Sequence, residues 1–542
     1  MAKENDKSDS QNLPASIVEF IRQVLKKMGY RRKVRQDVQA ELAAHFEDEL
    51  KDCKTDEEKE QKTQQLITSF GDVKLLAVLL RRAKKRCRPL WRTAVVRSFQ
   101  ALGIIFLYLV ICVSPLIIGK PNITVNYVDW LNEFVRQGRD EVNNARPDYE
   151  KAGALCVKMP EWLNKSRAKW PADLNDVQLN SLSTWLDDNK QAIEALRKGS
   201  RCPGYWSKYR SDEAELTKGL VANVMKPLPS YKRLAFDMRW RIRYEADNGN
   251  IETALSDCVA LTKFSGHLQG HGLLIEQLVG IAIEALAQNA IFMLMERVDV
   301  PADVLKSTQE ELDKQFGKHE PVISMEAEKV FWYDQIQRTF TDDGHGGGRV
   351  LMRGLPLAAG DWKSGLWGLV SFSYPDRREV VANIDKYFER FAEILAETPW
   401  ELRDETIDDQ VWNEVHITPL MLKIQTPAHE RISQIAWRMK TGREALLTVL
   451  AVMRYEKEKG RYPASLYELV EAGYLKKLPM DPYSKSPLVY RRTDDGFLLY
   501  SFGADLKDDG GKLGLNREGR PRMWAEEGDW VFWPVPKLQL KQ

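Results

Sequence analysis

The chain has 542 residues, and at about 150 residues per domain this length predicts three or four structural units. Apolar residues make up 43% of the sequence and charged residues 29%, which is typical of a folded protein. A mean hydropathy of -0.43 excludes a membrane protein with many spans, and six cysteines exclude a disulfide scaffold. Because 80 basic side chains are balanced by 78 acidic ones, no basic surplus indicates a nucleic-acid partner.

The first 90 residues contain a polar tail and a predicted helical bundle. Residues 1–12 are polar, and we expect them to form a disordered tail. Residues 13–90 carry apolar side chains at helical spacing. Thr55 and Glu58 have the spacing of a capping box, which marks the start of a helix. The pattern therefore predicts a small bundle of three or four helices.

This bundle resembles a known bacterial family through three motifs. They are Arg35-Gln-Asp-Val-Gln-Ala-Glu-Leu-Ala-Ala-His-Phe-Glu-Asp48, Ser69-Phe-Gly-Asp72 and Leu76-Ala77. Similar motifs occur in the HAAS or permease-prefix domain, a small cytoplasmic helical domain that precedes transmembrane segments and is thought to serve in signalling. The resemblance covers residues 13–90, and it implies a cytoplasmic domain with a cytoplasmic regulator as its partner.

One segment is apolar enough to cross a membrane. Residues 98–119 contain no charged side chain, and about 20 helical residues span a hydrocarbon core of about 30 Å. The preceding segment carries basic residues and no acidic ones: Arg81, Arg82, Lys84, Lys85, Arg86, Arg88, Arg92 and Arg97. Such a cluster stays on the cytoplasmic side. The sequence predicts one transmembrane helix in the bacterial inner (cytoplasmic) membrane, with a cytoplasmic N-terminus and a periplasmic, extracytoplasmic C-terminal bulk.

Residues 120–430 form a predicted extracytoplasmic helical domain, which we expect to be partly solenoid-like. Residues 239–268 have the pattern of helix, glycine turn and helix, as in one tetratricopeptide-type unit, although no second copy follows at a fixed period. Residues 273–295 are apolar, and a second membrane span and a buried core helix are alternatives there. Glu276 and Glu284 favour the core helix, because each charge in a bilayer would cost about 2.5 kcal/mol or more.

Two histidines of this domain are candidate zinc ligands. His267 and His271 are four residues apart and would share one face of a continuous helix, as zinc ligands do. A third ligand would come from a distant segment, and the candidates are His319, His345, Glu326 and Glu328. No nucleophile elbow, zinc-protease helix or phosphate-binding loop occurs in the sequence, so we predict no catalytic residue.

Residues 431–542 combine a long helix with a β-hairpin. The apolar periodicity of the helix ends at Gly460, as expected of a glycine C-cap. The turn Asp494-Asp495-Gly496 separates two alternating segments, and an aromatic segment follows later. The predicted strands occupy residues 488–492, 497–502 and 530–535. This pattern predicts a small α+β domain at the C-terminus.

The same domain resembles the globular head of the type II secretion major pseudopilin, the G-type. The motifs are Gly460-Arg-Tyr-Pro463, Asp481-Pro-Tyr483 and Tyr500-Ser-Phe-Gly-Ala-Asp505, in the order of that family. A pseudopilin begins with a hydrophobic helix that continues into its long helix, whereas here the apolar segment lies about 300 residues upstream. The resemblance implies calcium as cofactor, and by position its ligands would be Asp505, Asp508 and Asp509. Carboxylates on a glycine-bounded loop suit this hard cation, and a solvated acidic turn without a metal is the alternative.

These patterns predict a mainly α protein with a small α+β C-terminal domain and one membrane span. We expect it to bind, scaffold or sense in the bacterial envelope, with protein partners there and a role related to secretion or envelope assembly. A metal-dependent extracytoplasmic enzyme that uses His267 and His271 is one alternative. A transmembrane signalling protein that acts through the N-terminal domain is the other.

Overall fold

A computed structural model gives the fold of the chain in two compact units, Met1–Ile111 and Cys112–Gln542. The structure describes residues 13–86, 90–166, 168–209, 227–320, 322–351, 375–404, 429–516 and 519–536. The predicted tail at residues 1–12 lies outside the described residues, and so does Arg88 of the basic cluster.

The first unit contains the predicted helical bundle. Its helices before the apolar segment are α1 (Ala15–Met28), α2 (Arg32–Leu50), α3 (Asp56–Ser69) and α4 (Val73–Arg86). Their apolar stripes meet in one core, in which Ile17, Val38 and Phe46 are completely buried. The capping box at the start of α3 is confirmed, because the backbone N–H of Glu58 donates to the Thr55 hydroxyl and the Thr55 N–H donates to the Glu58 carboxylate.

Helix α5 (Leu90–Ile118) contains the predicted membrane segment. Among the described residues, two helices are long and apolar enough to cross a membrane. In α5 the window Ala94–Ile111 has a mean hydropathy of 2.0, and none of it is buried. The other helix is Leu274–Arg297, with a mean hydropathy of 1.8 and 67% of the window buried inside the protein. Burial of that kind is typical of a core helix.

The second unit is built from helices with a small sheet near the C-terminus. Its described helices of eight residues or more are α6 (Tyr127–Arg136), α7 (Arg146–Leu155), α9 (Asp176–Asp188), α10 (Lys190–Ser200), α11 (Leu228–Asp247), α12 (Ile251–His267), α13 (Leu274–Arg297), α14 (Ala302–Lys318), α15 (Glu326–Thr339), α16 (Arg377–Ala396) and α17 (His429–Lys459). Two shorter helices are α8 (Glu161–Lys165) and α18 (Leu466–Glu471). The predicted helical hairpin is confirmed as α11 and α12, joined through Gly249 at φ 81°.

The sheet has the order β1-β2-β3 and is antiparallel throughout. Its strands are β1 (Val489–Thr493), β2 (Gly496–Ser501) and β3 (Trp530–Trp533). The predicted hairpin is therefore confirmed, with Thr493 paired to Gly496 at the turn, and so is the third strand. Helix α17 ends before Gly460, whose φ of 68° suits a glycine C-cap.

The helical domain and the C-terminal head share a hydrophobic core. One cluster of buried side chains runs from α6 through α12 and α17 to the sheet, and it includes Leu131, Leu261, Leu450 and Trp530. The predicted boundary between residues 430 and 431 therefore does not separate two cores. Helix α17 belongs to the head by sequence pattern and to the helical domain by packing.

Candidate functional site

A buried arginine joins four parts of the second unit. Arg443 on α17 donates from Nε and Nη2 to the two carboxylate oxygens of Glu284 on α13, at 2.7 and 2.8 Å. Its Nη2 also donates to Oε1 of Gln269 at 2.7 Å, and its Nη1 donates to the His319 carbonyl at 3.1 Å. The guanidinium group thus holds α17 against α13 and against the segments that follow α12 and α14.

Glu284 is ionised although it is completely buried. Burial is the largest influence on this carboxyl and favours its neutral form, but the charge and hydrogen bonds of Arg443 outweigh it and lower the pKa. The side-chain amides of Gln269 and Gln288 add hydrogen bonds to the same carboxylate, at 2.8 and 3.1 Å. The pair is stable in the interior because each charge has a partner and its remaining polar atoms are bonded.

Gly442 of α17 leaves room for a side chain of α13 at this point. A Cβ atom on Gly442 would overlap the amide oxygen of Gln288, which lies one turn after Glu284 on α13. The end of the Gln288 side chain would then have to move, and its amide donates to Glu284 at 3.1 Å. Gly442 thus supports the hydrogen bond from Gln288 to Glu284.

A cleft of about 850 Å³ opens beside Arg443, between the helical domain and the head. Charged side chains of both signs line it, and two ion pairs cross its surface. Lys440 lies 3.4 Å from Glu320, and Lys477 of the head lies 3.2 Å from Glu444 of α17. The charges of the lining nearly balance, and apolar and aromatic side chains lie among them, which favours a ligand without a large net charge.

Two tryptophans of the cleft have indole N–H groups that are buried without a hydrogen-bond partner among the described residues. They are Trp400 and Trp437. Buried indole N–H groups usually have a partner, since leaving one unpaired costs free energy. The backbone N–H of Trp400 donates to the Pro482 carbonyl at 3.1 Å, which ties this segment to the head. The two rings therefore contribute apolar surface to the cleft, while their N–H groups are shielded from solvent.

The two predicted zinc ligands do not share a helical face. Helix α12 ends at His267, and Gly270 at φ 80° turns the chain before His271. The Tyr149 hydroxyl is bonded to Nδ1 of His267 at 2.7 Å, and Nε2 of His271 is bonded to the Tyr205 carbonyl at 2.8 Å. Burial, with the nearby imidazoles, lowers the pKa of His267 to about 3, so this ring is neutral.

Of the candidate third ligands, the structure brings one to His267. The ring centre of His319 lies 6.2 Å from that of His267, and burial lowers its pKa to about 4. Glu328 instead accepts a hydrogen bond from the Leu274 backbone at 3.1 Å, and His345 lies in a turn where its N–H donates to Asp343. The described residues contain no group of three or more histidine, cysteine, aspartate or glutamate side chains that could hold a metal ion. The zinc site stays a prediction.

A second buried carboxylate lies near these histidines. Glu276 accepts hydrogen bonds from the hydroxyls of Ser207 and Tyr209 and from the Leu273 backbone N–H. Burial is the largest influence on this group and raises its pKa. Ser207 and Tyr209 are nearly 70 residues away from Glu276, and no local sequence pattern marks them as its partners.

The predicted calcium ligands are bonded to different parts of the head. Oδ2 of Asp505 accepts the Gly528 N–H at 2.8 Å, and Oδ1 of Asp508 accepts the Tyr500 hydroxyl at 2.8 Å. These hydrogen bonds connect the loop to β2 and to the segment before β3. The described residues contain no group of three or more potential metal ligands here either. Calcium at Asp505, Asp508 and Asp509 stays a prediction.

A buried aspartate that the sequence pattern did not indicate closes this loop. Asp529 accepts the backbone N–H groups of Asp509 and Gly511, at 3.3 and 2.6 Å. Burial is the largest influence on Asp529, and it raises the pKa together with the charges of Asp508 and Asp509. The Asp529 carboxylate, directly before β3, thus holds the acidic loop through hydrogen bonds to its backbone.

Comparisons with protein-family models, with curated proteins and with solved structures give no match to this chain. The resemblances to the permease-prefix domain and to the major pseudopilin are therefore carried by the sequence motifs alone.

Proposed function

We propose that the chain is a single-span protein of the bacterial inner membrane whose large extracytoplasmic part binds a protein partner. The observation that carries the anchor is α5, whose apolar window Ala94–Ile111 is not buried by any part of the chain that the structure describes. Helix α13 is instead two-thirds buried, and its carboxylates Glu276 and Glu284 are bonded to side chains of the interior. These contacts support a core position for α13 and a membrane position for α5.

The orientation follows from the basic residues at positions 81–97, which favour a cytoplasmic N-terminus. A reporter that is active only outside the cytoplasm should be active when fused after Gln542. The same reporter should be inactive when it replaces the chain after Lys84. The opposite activities of the two fusions would contradict the proposed topology.

The junction cleft supports binding of a protein segment. Trp400, Trp437, Arg443 and the exposed Met480 line it, and tryptophan, methionine and arginine are enriched at protein interfaces. The tryptophan rings and Met480 would contact apolar side chains of the bound segment. Two ion pairs among the lining residues, Lys440 with Glu320 and Lys477 with Glu444, add polar groups to the same cleft.

Photocrosslinking in living cells tests the cleft. A photoreactive amino acid at Met480, inside the cleft, should give a protein adduct, whereas the same residue at Leu515 should not. Leu515 is the matched control because it is also an exposed apolar residue of the head but does not line the cleft. Trp437→Ala should reduce the Met480 adduct, since it removes an aromatic ring that lines the cleft. Equal adducts at both positions, or none at Met480, would contradict the proposal.

A further inference from the structure

The last helix before the membrane segment exposes apolar side chains that its own domain does not cover. One face of α4 packs into the bundle through Ala77, which is buried, and through its partly buried apolar neighbours. The opposite face carries Leu75, Val78 and Leu79, which are 61%, 45% and 52% exposed. Three neighbouring apolar residues at this helical spacing form one stripe, and folding of the bundle alone does not explain it.

Exposed basic side chains continue the stripe toward the C-terminal end of α4. Arg82 follows Leu79 by three residues and therefore lies on the same helical face, and Lys85 is one further turn along beside it. Two other basic residues turn toward the bundle instead: Lys84 is bonded to Glu41 at 2.5 Å, and Arg81 lies over the Tyr30 ring. The face that points away from the bundle is thus apolar at one end and cationic at the other.

The chain keeps this face close to a membrane if α5 is the anchor. Helix α4 ends at Arg86 and α5 begins at Leu90, with three residues between them. The Cα atoms of Arg86 and Leu90 can therefore be at most about 14 Å apart. Eight further residues of α5, about 12 Å, lead to Ser98, where the uncharged segment begins. Helix α4 therefore ends within about 26 Å of the hydrocarbon core.

We propose that the face formed by Leu75, Val78, Leu79, Arg82 and Lys85 lies on the anionic surface of the cytoplasmic leaflet. The apolar side chains enter the interface between head groups and acyl chains, as in an amphipathic surface helix. The basic side chains contact anionic head groups, and each such residue near the surface strengthens association about fivefold. The bundle then has a fixed orientation on the membrane. This inference rests on the proposed anchor but not on the junction cleft.

Lipid photocrosslinking of the full-length chain in vesicles tests the inference. A photoreactive amino acid at Leu79 should label phosphatidylglycerol in vesicles of phosphatidylcholine and phosphatidylglycerol. The same amino acid at Glu60, an exposed position on α3, should give at least tenfold less labelled lipid. Phe99, exposed on α5, is the positive control for lipid contact. Because these side chains are exposed, their replacement leaves the core of the bundle unchanged.

The outcomes separate the inference from the anchor on which it rests. Lipid labelling at Phe99 without labelling at Leu79 would overturn the surface contact and leave the anchor in place. A cross-linked dimer of the chain at Leu79 would show that a second copy covers the stripe, and would also overturn the proposal. No lipid labelling at Phe99 would contradict the anchor itself. Arg82→Gln with Lys85→Gln should lower labelling at Leu79 severalfold in anionic vesicles and leave labelling at Phe99 unchanged.

Discussion

Replacing Arg443 by methionine should reverse the pH dependence of stability that Glu284 contributes. Glu284 has a lowered pKa in the native protein, so its contribution is present above the unfolded pKa near 4.5 and is lost as pH falls below that value. In Arg443→Met the attraction is gone, and burial, the largest influence on this carboxyl, is unopposed by a cation. Its pKa then rises, and its stabilising contribution is lost as pH increases.

The size of the effect follows from the contacts that are lost. Arg443 makes a two-fold hydrogen-bonded ion pair with Glu284 at 2.7 and 2.8 Å, and both side chains are buried. Removal of one partner from a buried pair costs about 3–5 kcal/mol in the free energy of unfolding. Each unit by which the Glu284 pKa rises above its unfolded value adds about 1.4 kcal/mol of pH dependence. Arg443→Met should therefore be clearly less stable at pH 8 than at pH 5.

Urea unfolding of residues 120–542, monitored by circular dichroism between pH 5 and pH 8, measures both effects. This segment belongs to the second compact unit and contains its cores. Glu161→Gln is the matched control, because Glu161 pairs with Lys165 on the surface and its loss should change little. Replacing both Arg443 and Glu284 by apolar residues should recover most of the lost stability. If Arg443→Met keeps the pH dependence of the native protein and loses less than about 1 kcal/mol in the free energy of unfolding, this reasoning is refuted.

Two further predictions concern the histidine cluster and the acidic loop, in the same segment. Gly266→Ala should lower the free energy of unfolding by about 1–3 kcal/mol, because the new Cβ would overlap the His319 ring. Gly317→Ala is the control and should not destabilise the protein, because its new Cβ meets no neighbouring atom. If the acidic loop binds calcium, the melting temperature should be higher in millimolar calcium than in chelator. Asp508→Asn should abolish that difference while Asp494→Asn should keep it, and identical wild-type curves would contradict a calcium site.

Local elements were predictable because their signals lie within a few residues of one another. The capping box of Thr55 and Glu58 was readable from spacing alone, since its hydrogen bonds join residues three positions apart. The hairpin was readable from the turn before Gly496 and the alternation on both sides of it. Both predictions are confirmed, because local geometry decides both features.

The polar centre was not predictable, because its partners are far apart in the sequence. Glu284 and Arg443 are 159 residues apart, and neither has a neighbour that marks it as buried. One signal was present: Glu284 and Gln288 interrupt an apolar helix, and a carboxylate in such a helix needs a partner. That signal favours a core helix, as does the 67% burial of its apolar window, but sequence spacing could not name Arg443. The same holds for Asp529, whose backbone partners lie about 20 residues before it.

The position of α17 bears on how the C-terminal head could be used. The described helix, His429–Lys459, packs against α13 and α14 inside the unit, whereas the long helix of a pseudopilin assembles with other subunits. Its residues Met439 and Leu450 belong to two different hydrophobic clusters, so its length is buried on more than one side. Releasing this helix for assembly with other subunits would expose both clusters and break the buried contact of Arg443. These costs favour a head that stays fixed to the helical domain, and a fixed head keeps the junction cleft in one shape, as the proposed binding function requires.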